Sequence, residues 1–386
     1  MKILLVHNKY GKFSGEEAVV ESQIDMLKSN GHEVITYYRS SEEILEMKQG
    51  KFKAFFSALN NPKSKSDIRA LIVKEHPNVV HVHNLYPLIA PSVLKMIKGF
   101  NLPIVMTVHN YRIACPNGLF YSNNKVCEKC LGFGKELNCV VRNCEGSIFK
   151  SAGYALRNYW ARVNGYYHNY VDTFLCLTAF QKEKLIEAGV EEAKCSILPN
   201  FYNKDIQDLD YDLGKRDYVA FAGRLSPEKG IHILIKAAKQ LPHIKFQLAG
   251  RLREGYEIGE TIPSNVTLRG MLNKKEMRHF YAKARLYLHT SVCYEGFPMV
   301  FPEAMAHKLP LIAPKLAGYP EVVLQDYNGK LFKPEDASDL AQVIGNLWEN
   351  ESELKALSKN SFKYVNSKFN LKYYYSKLFE AYNKLI

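Results

Sequence analysis

The chain has 386 residues, enough for two domains, and its 47% hydrophobic and 24% charged content is that of a soluble globular protein. Its formal net charge of +13 would suit nucleic acid, an anionic membrane surface or an acidic small substrate, but no zinc-finger array, RNP motif or long Lys/Arg block is present, which sets nucleic acid aside. The opening apolar run Ile3–Val6 is too short for a secretory signal and no apolar stretch reaches the ~18–20 residues of a spanning helix, so a cytoplasmic protein is expected.

In chain order, Lys2–Val6 reads as a buried first strand. A helical pattern follows from about Glu17 to Asn30 and stops at Gly31. Strand-like runs then recur at His32–Tyr38, Asn78–His83, Ile104–His109, Phe174–Leu177 and Cys195–Leu198. From Pro199 to Lys215 the chain is polar and poorly periodic, as a linker would be. The pattern restarts with a strand at Tyr218–Ala222 and a helix at Gly230–Gln240. Strands at Ile244–Leu248, Val266–Arg269, Leu286–His289 and Leu311–Ala313 continue it. Strand–helix alternation of this kind predicts an α/β chain of two tandem Rossmann-like domains, 1–199 and 200–370, with the active site in a deep cleft between them. The last helix, Leu371–Lys384, carries Tyr373, Tyr374, Tyr375, Phe379 and Tyr382, and an isolated helix this aromatic needs a surface to cover. Segment 371–386 is therefore expected to pack back on the first domain.

The stretch from Ser291 to Ala306 follows a strand and opens a helix. Gly296 permits a tight turn, and Pro298 and Pro302 are tolerated only near a helix start. Backbone N–H groups freed by such a turn suit an anion. The flanking carboxylates Glu295 and Glu303 would repel a phosphate and should instead accept hydrogen bonds from neutral hydroxyls, such as those of a sugar ring and a ribose.

Glu295 to Glu303, with Gly296, Phe297, Pro298, Met299 and Val300 between them, resembles the E-x7-E motif of retaining glycosyltransferases of family 4, which have the GT-B fold. The resemblance implies a nucleotide-sugar donor, with Glu303 on its ribose and Glu295 on the transferred sugar. Phe221–Gly230 resembles the family's G-R-L-x-x-x-K-G segment, so Arg224 and Lys229 would clamp the diphosphate and neutralise charge as it leaves. Ala317–Glu321 resembles G-G-x-x-E with Ala317 in place of a glycine, Asn328–Phe332 resembles the N-G-x-L-F turn, and Lys308 stands where a glycine is usual. In the first half, Gly11–Glu17 resembles the glycine-rich loop after the first strand, with Ser14 replacing its first glycine and Gly15 retained. His109 matches the family's active-site histidine. No catalytic metal is expected, and the Asp208, Asp210 and Asp212 repeat reads as solvated linker.

Five of the eight cysteines crowd into an insert over 115–144: Cys115, Cys127, Cys130, Cys139 and Cys144. Cys127 and Cys130 have the spacing of a zinc knuckle, for which two further donors are needed. A subset of the family has a similar insert with a cysteine before Gly-Ser, which implies Cys115 and Cys144 as those donors to a structural zinc.

Phe149–Tyr170 mixes aromatics with Lys150, Arg157 and Arg162, as a helix lying on an anionic bilayer would. The resemblance also implies a lipid-linked saccharide acceptor, peripheral attachment to the inner face of the cell membrane, and a place in capsule, exopolysaccharide or O-antigen assembly. Two rival readings are a nucleotide-sugar epimerase of the same fold and a non-catalytic basic module that binds membranes. The paired carboxylates and intact Arg224 and Lys229 argue against both.

Overall fold

The computed structural model describes residues 1–11, 15–46, 50–202 and 216–386, the side chains of 50–54 apart. Ser14 and the Asp208, Asp210 and Asp212 repeat lie outside the described residues. The chain divides into two compact units, one of Met1–Asn123, Cys127–Asn200 and Leu371–Ile386, the other of Asn124–Val126 and Phe201–Asn370.

The first unit is built on a parallel sheet of β1 (Lys2–Lys9), β2 (Glu33–Ser40), β3 (Val79–Val82), β4 (Ile104–Val108), β7 (Thr173–Cys176) and β8 (Cys195–Ile197), in the order β2-β1-β3-β4-β7-β8. The two-residue strands β5 (Tyr121–Ser122) and β6 (Lys125–Val126) lie in the cysteine-rich insert. Ile3, Leu4, Leu5 and Val6 are all buried, because helices cover both faces of a parallel sheet. The C-terminal helix Leu371–Asn383 buries Tyr374, Leu378 and Tyr382, and the Tyr374 hydroxyl donates to Gln23 Oε1 at 3.1 Å across 351 positions of sequence.

The second unit carries β9 (Tyr218–Ala222), β10 (Lys245–Ala249), β11 (Val266–Gly270), β12 (Ala284–Leu288), β13 (Leu311–Pro314) and β14 (Gly329–Phe332), ordered β11-β10-β9-β12-β13-β14. This is the doubly wound order, in which chain direction across the sheet reverses between β9 and β12. Asn328–Phe332, read from sequence as a turn, supplies β14, whose Gly329 lies so close to β13 that an added Cβ would sit 2.1 Å from the Leu311 carbonyl oxygen.

Two further readings change. The segment Phe149–Tyr170 is two helices, Ile148–Val163 and Tyr166–Tyr170, broken at Gly165 with φ of 60°. Arg157 and Arg162 point into the protein, where Arg157 stacks on the Tyr86 ring at 4.0 Å and Arg162 pairs with Glu136 at 3.2 Å. They form no basic outer edge. Among the described residues no helix is long and apolar enough to cross a membrane.

Candidate active site

In a doubly wound sheet, ligands gather beyond the carboxyl ends of the strands where the order reverses. In the second unit those ends are Ala222 of β9 and Leu288 of β12. The loop after β9 forms a 3₁₀ turn, Pro227–Lys229, closed by Gly230 at φ of 66°. A Cβ at Gly230 would lie 1.9 Å from the Thr290 carbonyl oxygen, so only glycine lets the two loops touch. The Val292 N–H donates to the Glu228 carbonyl at 3.0 Å and the Thr290 hydroxyl to the Lys229 carbonyl at 2.8 Å.

That backbone contact sets Lys229 Nζ 2.6 Å from Glu295 Oε2. On its other side Glu295 meets His289 Nε2 at 3.1 Å and the Tyr319 hydroxyl at 3.2 Å, and the Ser291 hydroxyl donates to it. Burial pushes the Glu295 carboxyl up, but Lys229 and His289 outweigh it and hold the group well below the usual carboxylate range. Burial likewise lowers the Lys229 ammonium, and Glu295 more than restores it. The pair is thus ionised at neutral pH and retains 19% and 17% side-chain exposure for Lys229 and Glu295, so a ligand can reach it.

Arg224 stands 60% exposed at the mouth of the same loop, its Nε 3.8 Å from buried Glu228, and Arg253 reaches that carboxylate from the loop after β10 at 3.4 Å. The two loops are paired through hydrogen bonds between Leu225 and the backbone of Arg251 and Arg253. Arg253 was not among the residues singled out from sequence. Only the pairing of Leu225 with Leu252 brings it there.

Glu303 lies on the helix Val300–Ala306 and accepts from the Tyr281 hydroxyl at 3.2 Å. Phe297 packs its ring on Phe369 at 5.2 Å, so its side chain serves the core, and Gly296 and Pro298 are buried beside it while Met299 and Val300 are half-buried.

The first unit holds a separate polar cluster. His109 follows β4 and its Nε2 lies 2.8 Å from His83 Nδ1, with the rings stacked at 5.1 Å and His83 stacked in turn on His81. Burial lowers His81 and His109 to about 3 and His7 to about 4, so these rings are neutral at pH about 7. A small cavity lined by His83, Asn84, Tyr86, His109, Asn110 and Arg112 opens at this cluster. Gly15 starts the helix Gly15–Ser29, and the next residue, Glu16, buries a carboxyl that accepts from the Tyr10 hydroxyl at 3.0 Å. Glu16 too went unremarked in the sequence, where it reads as a helix-start charge.

The four cysteines named for a zinc lie near one another, with Cys115, Cys127 and Cys144 all in electrostatic reach of Cys130. Among the described residues no three His, Cys, Asp or Glu side chains are placed to hold a metal ion. Cys115 Sγ donates to Asn117 at 3.1 Å, and Cys130 and Cys139 pack with Ala155 in a small apolar core. Burial pushes the Cys115 thiol to about 11 and Cys130 to about 12, while the hydrogen bond with the Cys139 thiol lowers Cys144 to about 6.

Comparison with known proteins accounts for both units. Residues 13–205 match the family described as Glycosyltransferase Family 4, and 205–364 match Glycosyl transferases group 1. The chain belongs to glycosyltransferase family 4. An uncharacterised glycosyltransferase of Methanocaldococcus jannaschii is 25% identical, covering 93% of this chain and 92% of its own. The alpha-galactosylglucosyldiacylglycerol synthase of Streptococcus pneumoniae is 28% identical over 68% of this chain and 73% of its own. An amylovoran biosynthesis glycosyltransferase of Erwinia amylovora is 23% identical over 55% of this chain and 56% of its own. The crystal structure of Anabaena HepE with UDP and glucose superposes with a TM-score of 0.69 at 18% identity, covering all of both chains, and shows the GT-B fold. As a family 4 member this chain is a glycosyltransferase.

Proposed function

We propose that the enzyme is a retaining transferase that moves a hexosyl group from a nucleotide-diphosphate sugar to a lipid-linked saccharide at the anionic inner face of the cell membrane, in assembly of a surface polysaccharide. The ionised Lys229–Glu295 pair at the strand-order reversal carries the reading, because it offers a cation and hydroxyl-accepting oxygens within one hydrogen bond of each other. Lys229 and Arg224 would take the diphosphate, whose negative charge grows as the glycosidic bond breaks. Binding there would draw Lys229 from Glu295 and leave the carboxylate to the sugar hydroxyls. Glu303 would accept from the ribose, and neutral His109 would hydrogen-bond the transferred sugar. The glycolipid named for the Streptococcus pneumoniae relative supports a lipid acceptor, and the UDP in the HepE structure supports a nucleotide donor.

The test is donor turnover, measured as hydrolysis and as transfer to a lipid extract. Lys229→Ala should lower kcat/KM by about 10²–10³-fold, the range for losing one preorganised charge in a closed site. Glu303→Ala should raise KM with a smaller effect on kcat. Unchanged turnover in both variants would overturn the assignment. Elemental analysis of the purified protein tests a structural zinc on Cys115, Cys127, Cys130 and Cys144, and less than a trace of zinc would overturn it.

A further inference from the structure

The helix Ile148–Val163 is inverted. Its inward face carries Ser151, Arg157 and Asn158 among small residues, while Phe149, Leu156, Tyr159, Trp160 and Val163 face outward. Their spacing of three and four places them in one stripe along four turns. The inward polar groups are satisfied: Arg157 Nη2 donates to the Pro116 carbonyl at 2.8 Å and Asn158 Nδ2 to the Arg112 carbonyl at 2.6 Å. The outward aromatics are therefore not needed to bury this helix's polar face.

The insert before it extends the stripe. The short helix Leu137–Val141 leaves Leu137 71% and Val141 83% exposed, and at the start of the long helix Phe149 is 90% exposed. Phe133 continues the patch onto Tyr159, ring to ring at 6.3 Å. The two helices are joined through Cys139 and Ala155, so they present one surface. Single exposed apolar residues are ordinary on a soluble protein, but a continuous patch of this kind marks a binding face.

Its surroundings choose the occupant. Lys129, Lys135 and Lys150 stand exposed, the first two beside the short helix, where Asn138 bonds both their carbonyls, and the third next to Phe149. Of the nearby acids, Glu136 is paired with Arg162, Glu128 with Lys184, and half-buried Glu145 feels Arg157, Arg112 and Lys150. An apolar centre with Trp and Tyr, flanked by lysines, is the pattern of an element lying at the boundary of lipid headgroups and acyl chains.

We propose that the surface formed by Leu137–Val141 and the outer stripe of Ile148–Val163 inserts into the headgroup–acyl boundary of a bilayer, held chiefly by its apolar side chains, with the flanking lysines adding a secondary preference for anionic lipid. The inference rests on the reading of a lipid-linked acceptor and supplies what it lacks, namely which face meets the membrane and by what force. With Arg157 and Arg162 facing inward, charge alone is a poor anchor.

The full chain has two tryptophans, so Trp348→Phe leaves Trp160 as the only indole reporter. Its emission should shift to the blue, and brominated acyl chains should quench it, with phosphatidylcholine vesicles and more strongly with vesicles holding about one third phosphatidylglycerol. Binding should survive added salt. Val141→Ser with Phe149→Ser should weaken partitioning by about tenfold or more, and the thermal midpoint should stay put because both side chains lie outside the core. Absence of a blue shift, equal partitioning of the double variant, or binding confined to anionic vesicles and abolished by salt would each overturn the proposal. Vesicle insertion without any donor turnover would overturn the transferase reading and leave the docking face standing.

Discussion

Two left-handed residues carry traces of family constraint. Ala317, where the family places a glycine, has φ of 50°, and Lys308, another departure from glycine, has φ of 58°. Both keep the backbone shape of the residue they replace and carry its steric cost. Ala317→Gly should therefore raise stability by about 0.5–1 kcal/mol in chemical denaturation. Lys308 is a less clean site, since its ammonium sits over the Phe362 ring at 5.3 Å. Glu16 makes a second case. Burial lifts its carboxyl to about 7, against the pull of Arg112. In the unfolded chain the group ionises near ~4.3, so the folded state loses stability as pH rises between about 4.5 and 7, and the loss stays constant above. Glu16→Gln should match the parent below pH ~4.5 and exceed it by about 3.5 kcal/mol above pH ~7. A pH series of urea midpoints reads this directly, and parallel curves would show that the group ionises normally.

At the scale of elements, the loops after β9, β10 and β12 owe their shape to close backbone approach. Gly230 meets Thr290, and a Cβ at Gly250 would fall 1.8 Å from the Gly223 carbonyl oxygen, so the turns after β9, β10 and β12 are locked by glycines. Gly230→Ala should cost about 3 kcal/mol or more, since it adds both a strained φ and a backbone clash. Because Lys229 precedes it, donor turnover should fall even in preparations that remain folded. The helix Ile148–Val163 shows the opposite limit of sequence reading. Its apolar periodicity is plain, yet periodicity names a face without saying which side is buried. Here Arg157 finds Tyr86 and Pro116 from distant parts of the chain, which turns the polar side inward.

At the scale of the whole molecule, the chain closes on itself. Tyr374, Leu378 and Tyr382 of the last helix are each at most 2% exposed within the first unit, more than 300 positions from their partners. Ending the chain after Asn370 would uncover them all, at a cost of about 5 kcal/mol or more by apolar area alone. The truncated protein is expected to lose the cooperative unfolding of the first unit while the second still melts as a unit, which calorimetry resolves.

The sequence by itself determined much. Alternating runs of buried strand and amphipathic helix specify two parallel α/β units, because a parallel sheet must be covered on both faces. The resemblance of Glu295–Glu303 and of Arg224–Lys229 to family motifs implied that these residues share one site, and Lys229 and Glu295 do meet. Tertiary structure alone decided the rest. It paired Lys229 with Glu295, brought Arg253 alongside Arg224, buried Glu16 and gathered Cys130, Cys139 and Cys144 of the insert against Ala155. Each depends on contacts between segments far apart in the chain. Local propensity and spacing carry no information about such contacts, and burial fixes the charge state of the groups they enclose.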